Sequence, residues 1–454
     1  MWGTHPRPKG IPLMIATGLL LGAVLGVVLQ RGRFCVTGML RDIYLLKTWR
    51  GFVALLIVIS VHAVGLSALR TLGVITTPVD AFAPLAVVIG GFIFGIGIVL
   101  AGGCASGTWY RSGEGLVGSW FALLFYGISA AAMKTGILHG GSDLAQGGFT
   151  INATTIPDTF GLSPWWFAIG LSLLTAYSVW YYRSKDGASV ATLGRTGWKR
   201  PLSLNTAGLL VGILGVIAWP LSAATGRNDG LGITTPTAHL TSWLTTGDAK
   251  FLNWGTLLVV GILVGSFASA RVTGEFRVRV PDATTSIRSI AGGTLMGIGA
   301  ALAGGCTVGN GMVQTSLFSY QGWVALLFIG LGVAAAAKAW LKPTQKTRVN
   351  STFEVAPAGV KVGVDKQGLR AVAPGTYVID TLGAVCPFPL IDAKTAINQL
   401  SDGEALVIDF DCTQATETIP RWAADDGHAV TDFHEVGSAG WQITVVKHGA
   451  LLRT

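Results

Sequence analysis

Five cysteines carry the chemistry available to this sequence: Cys35, Cys104, Cys306, Cys386 and Cys412. A thiolate is a nucleophile and a sulfur acceptor, while a neutral thiol is a weak hydrogen-bond donor. An odd number spread over 454 residues is no disulfide framework, so they read as separate thiols. Two belong to a duplication. Ala-Gly-Gly-Cys ends long apolar segments at 101–104 and 303–306, and each copy is followed by a further glycine, Gly107 or Gly309. At an offset of 202, Gly90, Gly91, Gly95, Ile96, Gly97 and Leu100 meet Gly292, Gly293, Gly297, Ile298, Gly299 and Leu302. The pairs Gly102-Gly103 and Gly304-Gly305 weaken a helix and free backbone N–H groups. A repeated helix break with a thiol at membrane depth points to a transport path in which sulfur chemistry matters.

The elements that must hold these thiols are membrane helices. The chain is 50% hydrophobic and 12% charged, with a mean hydropathy of +0.56; soluble proteins carry about twice that charged fraction. Nine apolar segments, at 11–29, 51–70, 84–100, 116–136, 163–182, 204–221, 254–270, 287–303 and 321–341, are each about long enough to span. The first is not followed by a small-x-small cleavage pattern and reads as a retained span. Basic clusters follow the first, fifth, seventh and ninth segments, beginning at Arg31, Arg183, Arg271 and Lys342. They share one side if the N-terminus is outside and the C-terminus cytoplasmic. Loops 137–162 and 222–253 then face outward. The odd step between the third and eighth segments predicts an inverted repeat whose breaks meet near the midplane, with Cys104 facing Cys306. A shorter match, Val36-Thr37-Gly38 with Val272-Thr273-Gly274, requires the opposite parity.

Charge divides the chain. Residues 1–350 hold 25 Lys and Arg against 10 Asp and Glu, whereas residues 351–454 hold 7 against 13. A basic body, suited to an anion, carries an acidic tail. The expected division is a membrane domain at 1–342, a Pro/Gly-rich linker at 343–375 and a soluble domain at 376–454. In the tail, strands at 377–380, 405–410, 428–436 and 441–447 alternate with helices at 387–400 and 415–426, a small α/β unit of βαβαββ order. The fold class is therefore an all-α polytopic membrane protein with broken or re-entrant helices and an internal pseudo-twofold repeat, followed by that α/β domain. Cys386-Pro387-Phe388-Pro389 stands where the first strand gives way to the first helix. Proline suits the first helical position, and a helix N-terminus stabilises a thiolate. Cys386 is thus a candidate sulfur acceptor, and Cys412 is either a second thiol or a small core residue.

Leu382-Gly383-Ala384-Val385-Cys386-Pro387-Phe388-Pro389, with Ile419-Pro420-Arg421-Trp422, resembles the TusA/SirA/YeeD family of sulfur-carrier domains over about residues 376–447. The resemblance implies that Cys386 carries the sulfur. With that tail, the twin Gly-Gly-Cys-x-x-Gly loops and Arg31–Gly38 give a body that resembles the YeeE/YedE family over roughly 11–341. That resemblance implies thiosulfate uptake across a bacterial inner membrane, with Cys35, Cys104 and Cys306 lining the path. The physics agrees. Thiosulfate is a dianion with three hard oxygens and one soft sulfur; freed N–H groups suit the oxygens, and neutral thiols suit the sulfur. The partners expected are thiosulfate, the bilayer and cytoplasmic sulfur-acceptor proteins.

Each residue has a plainer alternative. A lone membrane cysteine is usually packing. Arg33, Arg111 and Lys134 are candidate anion attractors, but a positive-inside charge, a solvated loop charge and a snorkelling lysine would look the same. His62 is a pathway residue or a hydrogen bond to a neighbouring helix. No Asp or Glu falls inside the nine segments, no nucleotide-binding loop occurs, and neither a metal, a cofactor nor a nucleic acid is expected. Two rival functions remain: a membrane-anchored sulfurtransferase or persulfide conduit, and a selenium-compound transporter. Broken helices favour transport, since an anchor needs none.

Overall fold

The computed structural model describes residues 11–341 and 369–448, apart from residues 80, 152–153, 186–190, 192, 195–196, 385 and 438–439. All nine apolar segments form helices: α1 (Ile11–Arg31), α3 (Arg50–Thr71), α4 (Pro84–Leu100), α6 (Val117–Lys134), α9 (Pro164–Lys185), α10 (Leu204–Ala223), α12 (Trp254–Thr273), α13 (Ala283–Leu302) and α14 (Tyr320–Trp340). By length and composition, seven stretches of the described residues qualify as membrane spans, with α1 running on into α2 (Val36–Leu45) and α4 into α5 (Ala105–Gly113). The helices α9 and α13 are not among the seven; α13 opens with Thr284, Thr285, Ser286, Arg288 and Ser289, which lower its hydropathy.

Short helices complete the body: α7 (His139–Gly147), α8 (Ile156–Phe160), α11 (Thr234–Thr246) and a π-helical turn at Gly309–Gln314. Segments 137–162 and 222–253 are therefore not simple outward loops. Thr234, Pro236, Thr237, Ala238 and Ser242 of α11 are buried, and α11 packs on α6 and α12. Its threonine-rich sequence hides this, because the hydroxyls are paired inside the protein.

The duplication extends over the whole body. Helices α1 to α6 correspond in order to α10, α11, α12, α13, the π-helical turn and α14, and α7 to α9 are inserted between the halves. Packing repeats accordingly. The α4–α14 contact has its image in α13–α6, α1–α12 in α3–α10, and α2–α14 in α11–α6. The duplicated glycines set the direction. A Cβ on Gly90 would lie 2.7 Å from Gly299 O, and one on Gly97 would lie 2.9 Å from Gly292 O. Contacts that descend along α13 as they climb α4 make the equivalent helices antiparallel, so the repeat is inverted. The Val-Thr-Gly match is no repeat: Val36 opens α2, whereas Gly274 is the left-handed cap of α12. Glycine at these crossings brings the helices to backbone contact.

The tail has one strand more than expected. Residues 370–373, inside the expected linker, form β1 (Arg370–Ala373), followed by β2 (Thr376–Asp380), α15 (Phe388–Gln399), β3 (Ala405–Phe410), α16 (Ala415–Asp425), β4 (Ala429–Val436) and β5 (Gly440–Val446). Gly375, at φ 72°, turns β1 into β2, and three of the four β1 residues are exposed. Such a short edge strand shows little alternation to read. Residues 343–368 of the expected linker lie outside the described residues. The sheet order is β1-β2-β3-β5-β4, and only β2 and β3 are parallel. Leu406, Ile408 and Phe410 alternate inward on β3 and meet Ile419, Trp422, Trp441 and Ile443.

Candidate functional site

Three helix breaks hold the three body cysteines. Ala101 ends α4, Gly102 turns at φ 72°, and Cys104 is the N-cap of α5. Ala303 ends α13 and Gly304 turns at φ 74°, leading to Cys306 and the π-helical turn. The left-handed backbone at Gly102 and Gly304 is why the first glycine of each pair is needed. Cys35 is the N-cap of α2, after a turn in which Arg33 adopts φ 47°. All three thiols are free and buried. Orphan carbonyls at the breaks are paired. Arg111 donates to Gly102 O. Asn310 Nδ2 donates to Ala303 O at 2.8 Å and Gly305 O at 3.0 Å, and Gln321 Nε2 donates to Asn310 Oδ1 at 3.0 Å.

Cys104 lies against Cys35. A Cβ on Gly107 would sit 3.2 Å from Cys35 Sγ and 3.4 Å from Cys104 Sγ, so this glycine leaves room for both thiols. Cys104 Sγ is also 3.5 Å from Ser106 Oγ. The starts of two buried helices, α2 and α5, thus meet at two thiols, where N–H groups and the helix dipoles favour an anion. Tyr126 stands within electrostatic reach of Cys104 and Cys306. Its hydroxyl donates to Thr234 Oγ1 at 2.9 Å, at the start of α11. Gly103 packs beside Arg111 and Gly305 beside Asn310.

The candidate cations part company. Arg111 is buried on α5 beside the break, not in a solvated loop. Arg33 is buried too. It pairs with Glu275 at 3.3 Å, and it donates to Thr416 Oγ1 of the tail. Lys134 ends α6 near His239, away from Arg111. A buried network that the sequence did not signal surrounds Arg33. Gln30 Nε2 donates to Glu275 Oε2 at 2.6 Å and to Glu114 Oε1 at 3.3 Å, and Ser269 Oγ donates to Gln30 Oε1 at 2.6 Å. Both carboxylates lie just outside the apolar segments, where composition makes them look like loop charges. His62 is fully buried where α3 meets Gly215 of α10, and its ring fills the space a side chain there would need.

In the tail, Cys386 and Cys412 are joined in a disulfide with Cα atoms 6.3 Å apart, which corrects the reading of five separate thiols. The cause is topological. Since β2 and β3 are parallel neighbours, the loops after them leave the same sheet edge, where ligand sites of parallel strands form. Thr381 N donates to Asp409 O at 2.8 Å, and Gly383 N donates to Asp411 Oδ1 at 3.0 Å, bringing the loops together. A 26-residue spacing reveals none of this. Pro387 is the N-cap of α15, so Cys386 precedes the helix by one residue. Burial pushes the Asp411 carboxyl above its ordinary value, with Arg279 and Arg277 opposing.

The tail docks against the basic face of the body. Gln414 Nε2 donates to Arg33 O at 3.4 Å, Asp425 lies 3.9 Å from Arg50, and Asp411 lies 3.8 Å from Arg279. A small cavity of about 40 Å³ lies between the two parts. The body lines it with Gly102, Arg111, Ser119 and Arg279, and the tail with Gly383, Cys386, Asp411, Cys412 and Thr413. The disulfide therefore faces the first helix break. Among the described residues no cluster of three or more His, Cys, Asp or Glu side chains could hold a metal.

Residues 31–335 match the family described as sulphur transport, and residues 377–447 match the sulfurtransferase TusA family. The chain is 49% identical over 347 residues to the thiosulfate transporter TsuA of Escherichia coli (strain K12), covering 74% of this chain and 97% of that protein. It is 34% identical over 332 residues to the thiosulfate transporter TsuA of Spirochaeta thermophila, covering 70% and 97%. The tail is 58% identical over 69 residues to TsuB of Escherichia coli, covering 15% of this chain and 92% of that protein, whose name assigns it provisionally as a sulfur carrier.

Proposed function

Since the chain belongs to the sulphur-transport family and ends in a TusA-family domain, we propose that it carries thiosulfate across a bacterial inner membrane and passes the outer sulfur to its own tail. In this reading the N-terminus is outside and the tail cytoplasmic, as the basic face under the tail suggests. The anion passes the helix starts at Cys35 and Cys104, with Cys306 and Tyr126 on the same route. N–H groups and helix dipoles take the sulfonate oxygens; neutral thiols meet the soft sulfur. A negative membrane interior opposes entry of a dianion, by about 2.3 kcal/mol per charge per 100 mV. Consuming the anion at the exit favours net entry.

The observation that carries this reading is the shared cavity that brings Cys386 and Cys412 to the break at Gly102. The tail's chemistry starts from the reduced pair, so a cellular dithiol, or two monothiols in turn, must first open the disulfide, supplying two electrons and two protons and leaving as a disulfide. The Cys386 thiolate then attacks the outer sulfur of thiosulfate. A bond forms between Cys386 Sγ and that sulfur. The bond to the sulfonate sulfur breaks, and its electron pair leaves with sulfite. The product is a persulfide on Cys386, and no further oxidant is needed. Thiolate attack by Cys412 on that persulfide restores the disulfide and releases hydrosulfide. Handing the sulfur to a cytoplasmic acceptor protein is the other outlet. Uptake of radiolabelled thiosulfate into proteoliposomes by the full chain and its cysteine variants tests the proposal.

A further inference from the structure

Arg279 stands out in the cavity between body and tail. Its side chain is only 8% exposed, yet Nε and one terminal nitrogen have no hydrogen-bond partner. The nearest carboxylate oxygen, Asp411 Oδ2, is 3.8 Å from Nε, beyond hydrogen-bond range. Burying a guanidinium with donors unpaired is costly, so a side chain held this way calls for an acceptor. The chain positions it from the backbone. Arg277 N donates to Glu114 O at 3.2 Å, Arg279 N to Gly115 O at 3.0 Å, and Val117 N to Arg279 O at 3.0 Å. Gly115, at φ 93°, lets the strands of this clamp approach; a Cβ there would lie 2.5 Å from Arg277 O. The clamp fixes Arg279 against the turn between α5 and α6, with its side chain in the cavity that Cys386 and Cys412 close from the other side. Arg111, in the same cavity, is already committed to Gly102 O.

We propose that Arg279 is the oxyanion-binding residue of the tail's sulfur-transfer site, seating the sulfonate of thiosulfate and then the departing sulfite. The tail supplies the nucleophile and the membrane body supplies the anion seat, so the reactive site is complete only in the docked protein. This rests on the sulfur-transfer reading above. A planar guanidinium with two free donors matches the spacing of two sulfonate oxygens. Asp411 lines the same cavity and repels the anion, which gives the seat an opposing charge to balance. Charge builds on the sulfonate oxygens as sulfite leaves, and a fixed donor aimed there stabilises that charge.

The test uses the purified full chain, reduced and freed of reductant. Addition of one sulfur to Cys386 by thiosulfate is followed by peptide mass in a Cys412→Ser background, where the persulfide cannot be discharged as hydrosulfide. Arg279→Gln is expected to slow it about 100-fold, the usual effect of removing one oxyanion donor, and Arg279→Lys to restore part of the rate. Asp411→Asn removes the facing charge without removing the seat, so it is expected to keep or raise the rate. A second readout avoids sulfur transfer. Cys386 is modified with a sulfonate-bearing methanethiosulfonate and with its quaternary-ammonium analogue, and Arg279→Gln is expected to lower the anionic-to-cationic rate ratio about tenfold. Equal losses in Arg279→Gln and Asp411→Asn would show that Arg279 only holds the tail in place, and an unchanged reagent ratio would remove the seat altogether. If thiosulfate adds no sulfur to the parent protein while the ratio still falls, the seat stands and the sulfur-transfer reading fails.

Discussion

Replacing Arg33 with methionine is expected to cost about 3–5 kcal/mol, because it takes the paired cation away from a buried carboxylate. Arg33 and Glu275 are 3.3 Å apart with side chains 3% exposed each, and at an effective dielectric of about 20 they attract by about 5 kcal/mol. Burial has already removed both from water, so losing one partner exposes the desolvation cost of the other. The network sharpens the effect. Glu275 shares the Gln30 amide with Glu114, and the two carboxylates repel one another across it. Arg33 also donates to Thr416, so the same substitution loosens the tail. Thermal unfolding of the purified full chain measures the loss as a lower apparent melting temperature. Hydrogen exchange at the start of α16 reads the loosening. Replacing Glu275 with leucine in the Arg33→Met protein removes the buried charge that lost its cation and should recover much of the loss. If the two substitutions prove additive, or if Arg33→Met leaves the melting temperature unchanged, the ion pair does not hold this region together.

Other consequences follow from packing and ionisation. Gly97→Val would put a side chain where even a Cβ lies 2.7 Å from Met296 N, so it should abolish folded expression, as fluorescence-detected gel filtration would show; Gly330→Ala, with nothing within 4 Å, should be silent. Burial raises the Asp411 and Asp409 carboxyls above their ordinary value of 3.8. Well below that value both are protonated in the folded and unfolded chain alike, and as pH climbs through the raised folded values the unfolded chain ionises first. The tail therefore loses stability as pH rises from about 4, and Asp411→Asn should raise its melting temperature at pH 7 but not at pH 4; a gain of equal size at both would exclude ionisation as the cause.

How much of this was legible depends on the kind of signal. Apolar runs located all nine long helices, because the bilayer demands about twenty residues of one character. The Gly-Gly-Cys duplication located the two breaks, since a left-handed residue at Gly102 and Gly304 needs glycine. Span parity predicted the inverted repeat that the antiparallel α4 and α13 display. What sequence hid was pairing between distant segments. Helix α11 looks like a polar loop because its threonines bond to Trp109 and Tyr126 in the interior. Glu114, Glu275 and Arg279 look like loop charges because only the fold brings them to Gln30 and the tail. The Cys386–Cys412 bond follows from two loops leaving one edge of a parallel strand pair, and no spacing encodes that.

Passage of thiosulfate along the buried cysteines of the body to the tail is measured most directly as uptake of thiosulfate, radiolabelled at the outer sulfur, into proteoliposomes by the full chain. Side-by-side reactions carry Cys35→Ala, Cys104→Ala, Cys306→Ala, Cys386→Ser and Cys412→Ser, with sulfate as a competitor. Saturable uptake that sulfate does not block is expected, with losses of about tenfold or more in each body variant, as when one close polar contact to an anion is removed, and with label bound to the tail of a Cys412→Ser protein but not to Cys386→Ser. Full uptake in the Cys35, Cys104 and Cys306 variants would contradict that path.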